Sequence, residues 1–293
     1  MSSDTAPNDD DLLHPYDKSL ARYVRIGYLF AAGETLPAEA DDEVSAVSQS
    51  DTSMLVIDDI LDDSASRAGK PALHVSQGIK AAIVEAMLLH AAAVDGIRRA
   101  AERLGTPDWA RARIYLRFND YLSEMYHAQS LDLAARDDHG FEPWMLERYE
   151  KIIAGVTASH VTTGLECGQL LAGAEPNPDL TRAGSAIGMV RQVRDDVDDY
   201  FDDHHEPFGD FTGGLNRLPE LVFKRHHGDR EKVLELLAAG MTREARDLVL
   251  TYEARQEIYG YCQSIRTAVP VGEAASFLQP LESDLTGILT RTR

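Results

Sequence analysis

Met54-Leu55-Val56-Ile57-Asp58-Asp59-Ile60-Leu61-Asp62 runs four apolar residues straight into three carboxylates. Read as a helix, Asp58 and Asp62 are four apart and project from one face. The apolar run leading into them sets those carboxylates beside a buried wall. An acidic run in an acidic chain is otherwise a solvated face.

Outward from this stretch the periodicity stays helical. Ile79, Ile83, Met87, His90, Val94 and Ile97 fall at steps of three and four, which predicts one apolar stripe on a long helix. Gly105, Thr106 and Pro107 then form a stop signal. Residues 109–135 and 149–172 repeat the pattern, and 232–239 form a shorter helix closed by Gly240. No segment alternates with period two between hairpin turns, so strands are not expected. The fold expected is all-α, a single-domain helical bundle over residues 14–293, with 1–13 as a disordered tail.

A second acidic stretch, Asp195-Asp196-Val197-Asp198-Asp199, repeats the spacing of the first. Gln192, Asp195, Asp196 and Asp199 follow i, i+3, i+4, i+7, one stripe on a helix. Stacked carboxylates repel unless a cation sits among them. Two such faces turned toward each other would hold several Mg²⁺ ions, each sharing positions with water and phosphate.

Composition narrows the partners. A net charge of −20 over 293 residues argues against nucleic acid, which is held by clustered Lys and Arg. Cys167 and Cys262 have neither framework nor metal-ligand spacing and read as reduced thiols. The polar N-terminus and short apolar runs predict no signal segment and no membrane span, hence a cytoplasmic protein.

These motifs resemble the trans-isoprenyl diphosphate synthases, the polyprenyl synthetase family. The likeness runs from about Arg22 onward. Asp58-Asp59-Ile60-Leu61-Asp62-Asp63 is similar to the first Asp-rich motif, continuing into Arg67-Ala68-Gly69-Lys70-Pro71 and His74 where the family has RRGxP. Gln129-Ser130-Leu131-Asp132-Leu133 resembles GQxLDL, and Gly188 through Asp199 resembles GxxxQxxDDxxD. Asp210-Phe211-Thr212-Gly213-Gly214 with Leu218-Pro219 resembles the loop DLxxGKxTLP.

The resemblance implies a class I isoprenoid synthase bundle with a central apolar cavity, working as a homodimer. It implies three Mg²⁺ ions on Asp58, Asp59, Asp62, Asp195, Asp196 and Asp199, which bind an allylic prenyl diphosphate for ionisation. Arg67 and Arg194 would contact the diphosphate, with Gln129 and Gln192 near the reacting carbon. Ser53 and Met54 would line the pocket floor, where a small Ser implies a deeper cavity and favours geranylgeranyl over farnesyl diphosphate. The other reading of Ser53 is a helix-packing residue.

The departures concern cations. The family's GGKRxRP segment, which binds isopentenyl diphosphate, is here Ser19-Leu20-Ala21-Arg22-Tyr23-Val24-Arg25, and the second Arg of RRGxP is Ala68. The KT pair is Val156-Thr157, the GK lysine is Leu215, and a further lysine falls near Glu206. Each lost charge-assisted contact is worth roughly 1.5–3 kcal/mol. Arg194, Arg217, Lys70, Arg291 and Arg293 are the candidate replacements. The expected activity is therefore ionisation without standard elongation, ending in terpene cyclisation or transfer to another acceptor. The alternatives are an ordinary chain-elongating polyprenyl diphosphate synthase and a non-catalytic partner subunit of one.

Lesser signals carry less. Asn119 to His127 imitates a cyclase metal motif too early in the chain, and His204-His205 reads as a solvated loop. Trp144, Tyr149 and Tyr200 are candidates for carbocation contact, with ordinary core as the commoner role.

Overall fold

A computed structural model describes residues 19–67, 69–134, 141–201, 208–214 and 216–269. The expected tail at 1–13 and the readings of Ala68, His204, His205, Glu206, Leu215, Arg291 and Arg293 lie outside the described residues. The chain is all-α, as expected, and divides into two compact units, residues 1–122 with 161–181 and residues 123–160 with 182–293.

The first unit contains α1 (Leu20–Ala32), α2 (Ala38–Ala46), α3 (Gln49–Leu61), α4 (Leu73–Gln77) and α5 (Ile79–Arg103). It also holds the first part of α6 (Asp108–Leu133) and most of α8 (Ser159–Leu171). Helix α1 starts where the Ser19 hydroxyl accepts from Arg22 N and stops at Gly33, whose φ of 73° suits a residue without Cβ. Leu20 and Val24 of α1, Ile97 of α5, Phe118 of α6 and Leu170 of α8 share one core. Within it α1 and α8 touch backbone to backbone. A Cβ on Gly168 would lie 2.0 Å from Val24 O, so only glycine fits.

Helix α3 packs on α5 through a narrow face of Val56, Ala82 and Ala86, with Ile57, Ile60 and Leu73 around it. The stripe expected on α5 holds at its C-terminal end, where Ile97 is buried and Val94 packs on the core, and fails at its N-terminal end. The buried residues of α5 are Ala82, Ala86, Ala93, Gly96, Ile97, Ala100 and Ala101, while Ile79 and Met87 are 54% and 66% exposed. Small side chains let helices approach closely, so the core face at the N-terminal end is the alanine stripe rather than the bulkier one. A second correction is small: Ser66–Arg67 and Lys70–Pro71 pair as antiparallel strands β1 and β2, turning at Gly69 with φ 75°.

The second unit contains α7 (Pro143–Ile153), most of α9 (Pro178–Asp198), and α10 (Gly209–Thr212) to α14. Of these, α11 is Leu218–Arg225, α12 is Arg230–Ala238, α13 is Thr242–Val249 and α14 is Tyr252–Thr267. The helix expected over 149–172 is interrupted by a π turn at Ala154–Ala158. Tyr200, Phe208, Phe211 and Phe223 form an edge-to-face aromatic chain with centroids 4.8 to 6.1 Å apart. Among the described residues no helix is long and apolar enough to cross a membrane.

Candidate functional site

In the first unit, Asp58 and Asp59 occupy the last turn of α3 and Asp62 is its C-cap, with Asp62 N bonded to Asp58 O at 2.9 Å. Carboxylates at a helix C-terminus meet the negative end of the macrodipole, so a cation is needed there. Arg67 of β1 is one. Its Nε and Nη2 donate to Asp59 Oδ1 at 2.9 and 2.6 Å, and Nη2 to Asp58 Oδ2 at 3.3 Å. Burial pulls the guanidinium pKa down, but Asp59 and then Asp58 outweigh it and push it above the ordinary value.

The three acids have different surroundings. Asp59 continues the buried face Ser50, Ser53, Val56 and is 4% exposed, whereas Asp58 and Asp62 are half-buried. Asp59 therefore serves as the anchor of Arg67. Ser53 is buried and its hydroxyl donates to Ala86 O at 2.7 Å, which is the helix-packing role. Met54 is half-buried beside it.

In the second unit, α9 ends at Asp198 and Asp199 opens a 3₁₀ turn, so the expected straight stripe bends at its last member. Asp196 is 2% exposed. Its Oδ2 accepts from Tyr149 Oη at 2.6 Å and its Oδ1 from Gln192 Nε2 at 2.9 Å. Thr157 Oγ1 donates in turn to Gln192 Oε1 at 2.5 Å. The π turn delivers Thr157, and Gly188 permits it, since a Cβ there would sit 2.5 Å from Ala158 Cα. Burial pushes the Asp196 carboxyl up to about 7 and Asp210 adds to this, against Arg217 and the two donated bonds. Tyr149 is raised well above its ordinary value by burial and by Asp196.

Beside this chain, Arg217 donates to both oxygens of Asp132, at 2.6 and 3.3 Å, and its Nε is 3.8 Å from Asp210 Oδ2. Asp199 Oδ2 accepts from Asp210 N at 3.4 Å. Arg194 Nε lies 3.6 Å from Asp198 Oδ2, and Asp195 and Asp199 are half-buried. Gln129 is half-buried on α6, three residues before Asp132. Of the aromatic candidates, Tyr200 is core, while Trp144 is 44% exposed under Arg148.

The donor set is hard oxygen throughout, which suits Mg²⁺. Among the described residues no three His, Cys, Asp or Glu converge as a closed cage. An ion on Asp58 and Asp62, or on Asp195 and Asp199, would keep positions open for phosphate and water, as Mg²⁺ prefers. Asp59 and Asp196 fit a supporting role, because they are the buried members of their motifs, 4% and 2% exposed. Spacing singled out the acids but not their partners Tyr149, Asp132 and Arg217, and Tyr149 lies 47 residues from Asp196.

Of the two cations in the α1 stretch, only Arg22 matches the family's motif. Arg22 is 2% exposed, and Arg25 Nε donates to Asp41 Oδ1 at 2.7 Å. Ala21, at the lysine position, is buried.

Comparison with known proteins shows the family and the fold. The family model described as polyprenyl synthetase matches residues 26–246. A geranylgeranyl pyrophosphate synthase of Rhodocybe pseudopiperita is 23% identical over 98% of this chain and 81% of its own length. An IDS-like terpene synthase 1 of Melampsora lini is 28% identical over 49% of this chain and 42% of its own. The structure of geranylgeranyl pyrophosphate synthase from Corynebacterium glutamicum, complexed with isoprenyl diphosphate and magnesium, shares the fold. It has a TM-score of 0.67 at 19% identity, over 94% of this chain and 86% of that one.

Proposed function

Because this chain belongs to the polyprenyl synthetase family, we propose that it ionises an allylic prenyl diphosphate and resolves the cation without adding isopentenyl diphosphate. The outcome is cyclisation or capture by another acceptor. The observation that carries this reading is the contrast in cations. Both acidic motifs are complete, while the α1 stretch offers a buried Ala21, a buried Arg22 and an Arg25 spent on Asp41.

Asp58 and Asp62 in the first unit, with Asp195 and Asp199 in the second, hold divalent metal in this reading. Bound Mg²⁺ would neutralise the charge that develops on the departing diphosphate. Asp59 grips the Nε side of Arg67 and leaves the guanidinium, 43% exposed, able to donate to the diphosphate as well. Asp196 is a positioning group, as is Gln192, whose amide is occupied by Thr157 and Asp196. Arg194 stays a second candidate for the diphosphate, and Gln129 stays a candidate polar group near the reacting carbon. Farnesyl and geranylgeranyl diphosphate are the substrate candidates. The small Ser53, whose hydroxyl donates to Ala86 O, favours the longer one slightly.

The named terpene synthase relative supports cyclisation, and the geranylgeranyl synthase relative supports elongation as the second reading. Homodimerisation belongs to the same proposal, supported by the exposed Ile79, Ile83, Val84, Met87 and Leu88 on α5. A cytoplasmic location is supported by Cys167 and Cys262, both buried free thiols. The test is incubation with Mg²⁺ and each allylic diphosphate, with and without isopentenyl diphosphate, followed by product analysis. Hydrocarbon or alcohol without the second substrate supports the proposal. A longer diphosphate formed strictly with it sinks the proposal, and no turnover of any allylic diphosphate favours a non-catalytic partner subunit.

A further inference from the structure

Arg217 stands in the loop whose family counterpart reads DLxxGKxTLP, where this chain has Leu215 in place of the lysine. A cation lost at 215 is thus matched by one gained two residues on. Its surroundings, however, are not those of a group held out for a ligand. The side chain is 15% exposed, and its guanidinium spans both oxygens of Asp132, which is itself 6% exposed. Its Nε lies 3.8 Å from Asp210 Oδ2. Its charge also acts on the buried Asp196, lowering that carboxyl's pKa against the burial that raises it.

Two carboxylates from different parts of the second unit, Asp132 on α6 and Asp210 on α10, thus share one guanidinium, and Asp199 is tied to the same place through Asp210 N. Buried like charges repel strongly in a medium less polarisable than water. Without an internal cation, these carboxylates would have to take up protons or a charge supplied from outside. Burial by itself would disfavour a charged guanidinium, yet Asp210, Asp132 and Asp196 hold Arg217 firmly protonated.

We propose that Arg217 is a positioning residue, a resident cation that assembles the carboxylates around the second Asp-rich motif before any divalent ion binds. Thr157, Gln192 and Tyr149 fix the orientation of Asp196, and Arg217 balances its charge together with that of its neighbours. The candidate metal ligands Asp195 and Asp199 then present themselves on a preassembled frame, with Asp199 tied to the α10 backbone through Asp210 N. The proposal rests on reading the second motif as a metal site only for its Mg²⁺ arm. It does not depend on what becomes of the allylic cation.

The test compares thermal unfolding of the full chain in EDTA and in millimolar Mg²⁺ for wild type, Arg217→Gln and Arg217→Lys. Wild type should shift little between the two conditions. Arg217→Gln should melt about 5–10 °C lower in EDTA, the cost of leaving buried carboxylates without their partner. It should regain at least half of that loss with Mg²⁺. Arg217→Lys keeps the charge but not the two-pronged geometry, and should fall between them. The double variant Asp132→Asn/Arg217→Gln removes one carboxylate with the cation and should melt above Arg217→Gln in EDTA. A loss equal in both conditions, which simple packing would give, overturns the proposal, as does no loss at all. Should Arg217→Gln fail to fold, Arg217→Lys decides by the same comparison. A chain that only elongates with isopentenyl diphosphate would defeat the functional reading yet leave the Mg²⁺-dependent recovery intact.

Discussion

Replacing Tyr149 by Phe removes one oxygen from the interior and nothing else, because the ring keeps its volume. That oxygen donates at 2.6 Å to Asp196 Oδ2, and the two residues are 1% and 2% exposed. A hydrogen bond to a charged group is worth about 1.5–3 kcal/mol, and one between neutral partners about 0.5–1.5 kcal/mol. Which figure applies depends on the proton at Asp196, whose carboxyl is pushed up to about 7 by burial. At pH 5 that carboxyl is neutral in the folded protein, and the loss should be about 1 kcal/mol. At pH 8 it is ionised, and the loss should reach about 2–3 kcal/mol.

The sign follows from linkage. A folded pKa raised above the unfolded value gives stability that is full below the unfolded pKa and lost as pH climbs through the folded one. The hydroxyl opposes that rise, so deleting it lifts the folded pKa further and steepens the decline above pH 7. At about 2–4 °C per kcal/mol, Tyr149→Phe should melt about 2–4 °C below wild type at pH 5 and about 4–12 °C below it at pH 8. The assay is thermal unfolding by circular dichroism in EDTA. An equal loss at both pH values, or a loss below about 0.5 kcal/mol at pH 8, would refute the reasoning.

Other consequences are as direct. Glu220 is 1% exposed and its carboxyl is pushed up to about 7 by burial despite Lys224, so wild-type stability should fall as pH rises from 5 through 7. Glu220→Gln should flatten that part of the pH–Tm curve, and an unchanged slope would reject the assignment. Gly168→Ala puts a Cβ 2.0 Å from Val24 O and 2.6 Å from Tyr28 N, so the α1–α8 contact must open. We expect a loss of about 3 kcal/mol or more in chemical denaturation. Asp62→Asn should abolish pyrophosphate release. Asp59→Asn should retain turnover at reduced rate, with a raised KM for the allylic diphosphate as Arg67 loses its anchor. Equal kinetics for the two variants would contradict the division of roles.

Much of the fold was legible because helices declare themselves by period. The i, i+4 relation of Asp58 and Asp62 survives to the helix cap, and Gly105 and Gly240 both adopt positive φ at helix ends. The stripe on α5 held at Val94 and Ile97 but misled over its first turns, where large apolar residues dominate a period count and the buried residues are Ala82 and Ala86. The same limit applies within the motifs. Asp58 and Asp59 are neighbours of identical chemistry, yet only Asp59 falls three residues after Val56 on the face that α3 buries. Nothing local distinguishes Asp196 from Asp195, because burial comes from packing in the second unit and its partner Tyr149 is 47 residues away. The π turn that brings Thr157 onto Gln192 is likewise a tertiary effect, made possible by Gly188. Arg217 was visible only as a candidate replacement cation. Its pairing with Asp132, 85 residues earlier, could not be read from spacing.

In the proposed reaction the allylic diphosphate leaves without a second substrate to capture the cation. Its most direct test is the rate of pyrophosphate release from farnesyl and geranylgeranyl diphosphate, measured with Mg²⁺ while isopentenyl diphosphate is titrated from zero. Full release is expected at zero isopentenyl diphosphate, with no acceleration as it is added and loss of release in Asp58→Asn. Release that is absent at zero and rises in strict proportion to an elongated diphosphate would contradict it.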